Sequence, residues 1–488
     1  MGHTLVLKNF HLVDETMDIR GSVVIEDGLI REIIPDSLDF SEDSDLWSVE
    51  ADKNLEYAVL GADMVIDGRN IAFGNREYIP ADWANHLPVL MPALIDLHAH
   101  FRDPGFPDKE TLESASLAAA AGGFGTVVCM ANTNPVTDSP EAASALKARS
   151  DALALIDLYP AMSLTSGMAG QELSDITRLD PSATPAVRLL SEDGKDVADD
   201  ALFLAAFTEA RRLGLPVSCH CDAGGPEAEA AKRAGEPRAV WSRIEENAAT
   251  RRAIALGKQA GCHVHIAHVS TAEAVQMVRD AKAEIRSIPA EVKDTAVVEG
   301  IGIPINGGIT VRREFTITCE ATPHHLALTE ETARKLGDES RGRVNPSLRT
   351  EADRQAVIAA ILDGTIDAIA TDHAPHTAED KEKGAPGFTG LETAFAVCNT
   401  VLAREGILSL SRLSSLMSAA PARILGLTDR GRLAPGCRAD LLIADTEAAW
   451  TVDPARFKSR GKNSPYTGRG FAGRILLTIR RGRVVFEA

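Results

Sequence analysis

Between about residues 92 and 430, short apolar runs alternate with alanine-rich stretches, and this alternation constrains the fold more than any other feature of the chain. GTVVCMAN precedes EAASALKARS, AVRLLSED precedes ADDALFLAAFTEARRLG, and CHVHIAHVS precedes AEAVQMVRDAKAE; LPVSCHCD, FTITCEAT and DAIATDHAP add further runs. Strand followed by helix, repeated about eight times, predicts an α/β fold of the (β/α)8 TIM-barrel type. A doubly wound open sheet shares the alternation, but the glycine-rich phosphate loop expected after its first strand is absent. The ends of the chain read differently. LVLKNFHLV and SVVIEDGLIREII, with the turn Asp27-Gly28, alternate with the period of a strand, and DLLIAD and RILLTIRRGRVVFEA repeat that pattern at the other end. The expected division is a barrel over 92–430 and a small satellite β-sandwich formed from both termini, residues 1–91 and 431–488.

Charge and composition exclude several roles. The net charge of −19 disfavours nucleic acid and anionic membranes as partners, since phosphate binding needs a positive patch. No apolar run approaches the ~18 residues of a membrane span. MGHTLVLKNF lacks the basic and long apolar regions of a secretory signal, and the seven cysteines are scattered through apolar stretches. Reduced, buried thiols in a cytoplasmic enzyme are the reading that follows.

A barrel of this kind carries its active site at the C-terminal ends of its strands. ALIDLHAHFRDPG ends in His98-Ala99-His100, and residues two apart in a strand share a face, so both rings can enter one cavity. His220 in PVSCHCD, His268 in HVHIAHVST and Asp372 in DAIATDHAPH each fall where a loop signal begins. Four histidines and a carboxylate converging on one rim predict a metal site. Counted by the same parity, His263 and His265 lie opposite His268 and should pack towards helices, and Cys219 and Cys221 face away from His220. His325 and His373 are read as structural. If two cations are bound, an anion must lie between them. The strand end at AVRLLSEDGKDV offers Glu192, Asp193 and, as a carbamate, Lys195; local sequence leaves the three open.

Taken together, DLHAHFRDPGFPDKET (96–111), AAAAGGFGTVVCMANTNPVTDSPE (118–141), SEDG (191–194), HCD (220–222), HIAHVST (265–271), TPHHLAL (322–328), RVNPSLR (343–349), DGTIDAIATDHAPHT (363–377), GLETAF (390–395) and GKNSPYTG (461–468) resemble the amidohydrolase superfamily, most closely its bacterial class I dihydroorotases. Zn2+ is the default ion for such histidine and carboxylate ligands, with cobalt or manganese also admitted by geometry, and the resemblance implies two ions per subunit. His98, His100 and Asp372 would hold the more buried ion and His220 and His268 the second, with Asp193 bridging. It implies further that Arg102, Asn132 and His376 hold the substrate's α-carboxylate, and that Asn345 and the backbone at Pro386 and Gly387 meet the ring amide. The implied reaction is reversible cyclisation of N-carbamoyl-L-aspartate to L-dihydroorotate in de novo pyrimidine biosynthesis. A metal-activated hydroxide attacks, and Asp372 serves as general acid and base. A homodimer is implied, and association with aspartate transcarbamoylase stays open.

Two departures from the family pattern, Ala131 in MAN and Glu192 in EDG, remove no implied ligand. The N-terminal region is longer than usual, chiefly around residues 36–90, and its acidic stretch Asp36–Glu56 reads as a surface excursion. A second insertion, roughly 284–314, joins a helix to a strand and so belongs on the barrel's bottom face, in assembly or stability. The nearest rivals are dihydropyrimidinases, hydantoinases and allantoinases, which usually bridge their metals with a carboxylated lysine and lack an arginine after the HxH; Asp193 and Arg102 argue against them. A non-catalytic scaffold would be expected to have lost ligands, and none is missing here.

Overall fold

The computed structural model describes residues 3–36, 55–56, 58–73, 76–78, 86–222, 226–287 and 315–488. The insertion over 284–314 and the stretch Asp36–Glu56 therefore lie almost wholly outside the described residues.

Both ends of the chain build one eight-stranded sheet. Its N-terminal members are β1 (Thr4–Val13), β2 (Asp18–Glu26), β3 (Leu29–Pro35) and β4 (Met64–Asp67). A separate hairpin joins β5 (Ile71–Phe73) to β6 (Arg76–Tyr78), and β7 (Val89–Pro92) returns to the large sheet. The alternation in LVLKNFHLV has the expected result: Leu5, Leu7, Phe10 and Leu12 enter one apolar cluster, while Val6 joins another with Val24 and Ile34.

Eight parallel strands follow: β8 (Leu94–Ala99), β9 (Phe124–Cys129), β10 (Asp157–Pro160), β11 (Leu190–Ser191), β12 (Val217–Cys219), β13 (His263–Ile266), β14 (Thr316–Ala321) and β15 (Ala368–Ile369). β8 to β10 pair in one set and β11 to β15 in another. Single bridges close the ring, Met162 to Leu190 on one side and Ala99 to His373 on the other. At the second seam His100 N donates to His373 O at 2.8 Å, which sets the HxH strand beside the strand end carrying Asp372. The intervening helices have clear local causes. Thr111 caps the helix Leu112–Ala121, and Asp199 caps Asp200–Leu213, which stops at Gly214 with φ 69°. Alternate strand residues such as Val127, Val217, Val264 and Ile317 pack with these helices in the main core. Ile95, Leu97, Val128, Ala161 and Ala370 form a separate cluster on the other face of the strands.

The chain then returns to the terminal sheet through β16 (Leu441–Thr451), β17 (Gly470–Arg480) and β18 (Arg483–Glu487). The order is β18-β17-β16-β7-β1-β2-β3, with β4 beside β1, so the two ends of the chain meet where β16 pairs with β7. All seven cysteines are free and buried. No described helix is long and apolar enough to cross a membrane.

Candidate metal centre

The rim of the barrel gathers the five residues that the strand ends suggested together with Asp193, one of the three candidates left open there. His98 Nε2 lies 3.0 Å from Asp193 Oδ1 and 3.6 Å from Asp372 Oδ1. His100 Nε2 lies 3.2 Å from Asp372 Oδ1 and 3.5 Å from Asp193 Oδ2. His220 Nε2 is 3.6 Å from Asp193 Oδ1, and the His268 ring stacks near those of His220 and His98, at 4.5 and 5.2 Å between centroids. Two groups have ligand atoms close enough to share an ion: His98, Asp193 and His268, and His98, His100 and Asp372.

The chemistry of this cluster fits a cation. His98 Nε2, Asp193 Oδ1 and His268 Nε2 are buried without a well-formed hydrogen bond, an arrangement that is costly unless something else satisfies it. Burial works against charge throughout, yet the local pairs dominate in places. Asp193 is held well below the usual carboxylate range, because His220, His98 and His100 outweigh its burial. His98 is raised well above the ordinary imidazole value, its burial overcome chiefly by Asp193. His268 is pushed well down by burial, with His220 and His98 adding to it, so its ring is a neutral donor. His268 and Asp372 both adopt positive φ, 32° and 46°, as does Arg102 at 55°. Such backbone is uncommon outside glycine and gathers where function demands it.

Among the three candidates at the end of β11, only Asp193 enters the cluster. Glu192 accepts from Leu164 N and Thr165 N at 2.9 and 3.1 Å, and Lys195 Nζ donates to Met168 O at 2.9 Å.

The expected substrate contacts surround the cluster. Arg102 Nη2 lies 3.3 Å from His376 Nε2, which in turn is 2.9 Å from Pro386 O. Burial, reinforced by Arg102, Lys109 and Lys381, pushes His376 down to about 3, so it meets a ligand as a neutral ring. Asn132 sits between two members of the cluster: His100 Nδ1 is 3.1 Å from its Oδ1, and its Nδ2 donates to Asp193 Oδ2 at 3.1 Å. Asn345 donates to Asp222 Oδ2 and accepts from Arg238, each at 3.2 Å. Gly387 donates to Arg343 O and accepts from Lys381 Nζ and Asn463 Nδ2, so its polar groups already have protein partners.

One expectation is corrected. His263 and His265 do not pack towards the helices; Val264 and Ile266 do. His265 Nε2 is 3.0 Å from Glu320 Oε2, and Glu320 Oε1 is 3.0 Å from His98 Nδ1, so His265 stands directly behind the cluster. The parity count failed because β13 ends at Ile266 and His268 then takes φ 32°. His325 and His373 lie beside the cluster with protein partners of their own, Pro346 O and Glu110 respectively. Reading the sequence alone missed Glu320, Asp222, Asp96 and Asn463. Asp222 Oδ1 is 2.7 Å from His220 Nδ1, and Asp96 accepts from Thr371 N and Oγ1 at 2.9 and 2.5 Å, tying β8 to the residue before Asp372. The signal for Glu320 was a single carboxylate inside an otherwise uncharged strand, FTITCEAT.

A closed eight-stranded barrel with histidines and carboxylates on one rim defines a metal-dependent hydrolase, and the chain belongs to the amidohydrolase family, whose profile matches residues 89–485. Within it, the chain falls among the dihydroorotases. It is 35% identical over 483 residues to the dihydroorotase of Clostridium botulinum (strain Eklund 17B / Type B), covering 99% of each chain. It is 40% identical over 407 residues to that of Anaeromyxobacter dehalogenans (strain 2CP-C), covering 81% of this chain and 86% of the relative. Among solved structures, the L-hydantoinase (dihydropyrimidinase) of Arthrobacter aurescens superposes with a TM-score of 0.77 at 23% identity, over 100% of this chain and 96% of that one. At that identity the likeness is one of fold.

Proposed function

We propose that this site interconverts N-carbamoyl-L-aspartate with L-dihydroorotate and water, the ring-closing step of de novo pyrimidine biosynthesis. The observation that carries the reading is Asp193, a fully buried carboxylate with Oδ1 facing His98 and His220 and Oδ2 facing His100. One anion so placed can serve two cations at once. His98, His100 and Asp372 would hold one ion, His220 and His268 the other, and Asp193 both. Zinc is the default ion for such nitrogen and oxygen donors. Bound there, two such ions would supply Lewis acidity that lowers the pKa of water and polarises the ring amide carbonyl.

The chain's own groups do the rest. Asp372 takes the proton from the attacking water and delivers it to the departing amide nitrogen; in the synthetic direction the protonated carboxyl assists ring closure with loss of water. The Arg102 guanidinium pairs with the substrate α-carboxylate through two parallel hydrogen bonds, which supplies local positive charge on an acidic protein. Neutral His376 and Asn132 complete that cradle. Asn345 would orient the ring amide, and the backbone at Pro386 and Gly387, held by His376, Arg343, Lys381 and Asn463, would form the wall beside it. We infer a cytoplasmic homodimer, which size-exclusion chromatography with and without aspartate transcarbamoylase would examine.

The decisive assay is hydrolysis of dihydroorotate by metal-analysed protein, run beside dihydrouracil and allantoin. Turnover of dihydrouracil without turnover of dihydroorotate overturns the assignment. Arg102→Met should raise KM for dihydroorotate while metal content stays at the parental level; metal loss in that variant would show its role to be different.

A further inference from the structure

We propose that Glu320 is a positioning residue for His98: a sealed carboxylate, gripped from behind by His265, that fixes the tautomer of His98 and keeps a negative charge beneath the metal centre. Glu320 has no exposed surface. Its two oxygens are divided between two rings, Oε1 at 3.0 Å from His98 Nδ1 and Oε2 at 3.0 Å from His265 Nε2. The support continues away from the rim, since His265 Nδ1 is 2.8 Å and His263 Nε2 2.9 Å from Thr318 Oγ1. Register accounts for the stacking, because His265 pairs with Thr318 and Glu320 follows two residues on, on the same face of β14.

The arrangement bears on the site through His98, the residue shared by both candidate ion groups. A neutral ring that donates Nδ1–H to a carboxylate presents its lone pair at Nε2, the state a bound cation would select, and His98 Nε2 is the atom that faces Asp193 without a well-formed hydrogen bond. His100 and His220 are turned the same way by Asn132 and Asp222, but those partners are partly exposed, whereas Glu320 is sealed. The charged and titratable groups facing Glu320 are His98 and Asp96 from β8 and His265 from β13. A ligand histidine backed by a carboxylate binds its metal more tightly and donates more charge to it.

This inference rests on the proposed metal centre, and its test separates the two. Glu320→Gln, close in shape but uncharged, is compared with the parent and with His98→Ala. Zinc affinity is measured by competition with a chromogenic chelator, and the pH dependence of kcat/KM for dihydroorotate is measured on zinc-saturated enzyme. Glu320→Gln should bind zinc roughly ten- to a hundredfold more weakly. The acid limb of its profile should move to lower pH, because removing a nearby negative charge favours the deprotonated form of neighbouring groups. Weaker zinc with an unmoved acid limb indicates lost packing alone and overturns the proposal, as does parental affinity. Should Glu320→Gln not accumulate as folded protein, His265→Gln keeps the carboxylate and removes its rear support. A smaller loss of zinc affinity is then expected, and parental affinity again overturns the proposal. Zinc retained at full affinity by His98→Ala refutes the metal-centre reading itself; zinc lost there with a parental Glu320→Gln refutes only the part given to Glu320.

Discussion

Asn463 should govern substrate affinity without touching the metal. It lies between β16 and β17, in a segment that reaches across to the loop carrying His376. Its Oδ1 accepts from His376 N at 3.0 Å, and its Nδ2 donates to Ala374 O and Gly387 O at 2.9 and 3.1 Å. The segment has other anchors: Glu392 accepts from Lys458 N and Ser459 N at 2.9 and 3.0 Å, and Glu110 accepts from Arg460 N at 3.1 Å. Asn463→Ala therefore removes three bonds and leaves the segment in place. At about 1 kcal/mol net for each bond, roughly 3 kcal/mol of loop order is at stake. A factor of ten corresponds to about 1.4 kcal/mol, so the upper limit is on the order of a hundredfold in KM. Asn463 is partly exposed, and water replaces some of what is lost. An increase of about five- to a hundredfold is expected, with kcat changed less than KM and zinc content at the parental level. The assay is steady-state dihydroorotate hydrolysis with metal analysis of the same preparations. A fall in kcat at constant KM, or a loss of zinc, would refute the reasoning.

Three further outcomes follow from other parts of the molecule. If the site holds the two zinc ions proposed, Asp193→Asn should lower zinc stoichiometry relative to the parent, measured by elemental analysis, and reduce turnover by several orders of magnitude; parental stoichiometry would remove Asp193 from the proposed bridging role. Gly387 has φ +124°, and a Cβ there would stand 2.5 Å from Ala374 Cβ, so Gly387→Ala should displace the loop and lower kcat/KM with zinc retained, as steady-state kinetics and metal analysis would report. Asp157 is buried between Arg430 and Arg438, and these two arginines with Lys147 outweigh its burial to hold its carboxyl far below the ordinary 3.8. A depressed folded-state value means that its stabilisation is complete above the unfolded value and fades as pH falls below it. Asp157→Asn leaves Arg430 with Asp429 and Arg438 with Asp440 as their remaining partners, so it should cost about 1–3 kcal/mol near neutral pH. Urea melts at successive pH values should show the gap from the parent narrowing only below about pH 4.

The proposed ligands were legible in the sequence and the groups behind them were not, for reasons that can be traced residue by residue. His98 and His100 could be read from strand parity because β8 delivers both to one cavity, and Cys219 and Cys221 fall opposite His220 by the same rule. Asp372 could be read because it follows the short strand Ala368–Ile369 at the rim. Parity then misled at His265, since counting back from His268 assumes extended backbone through a residue that is in fact left-handed. Counting instead from Val264 and Ile266, which pack with the helices, places His265 on the inner face. The terminal sheet was legible as alternation at both ends, but its order was not: β1 lies parallel to both β4 and β7, and β7 meets β16. Those pairings depend on contacts between distant segments, which no local period records. The same holds for Asn463, which meets His376 across 87 residues, and for Glu320, which meets His98 across 222. A metal ligand must be one of a few residue types at a strand end, so it leaves a mark in the sequence. Its support need only bring an acceptor within hydrogen-bond reach of Nδ1, and Glu320, Asn132 and Asp222 do this with three different side chains, one on β14 and the others in the segments after β9 and β12. Geometry selects such residues and residue type hardly constrains them, which is why they emerge only once the barrel is closed.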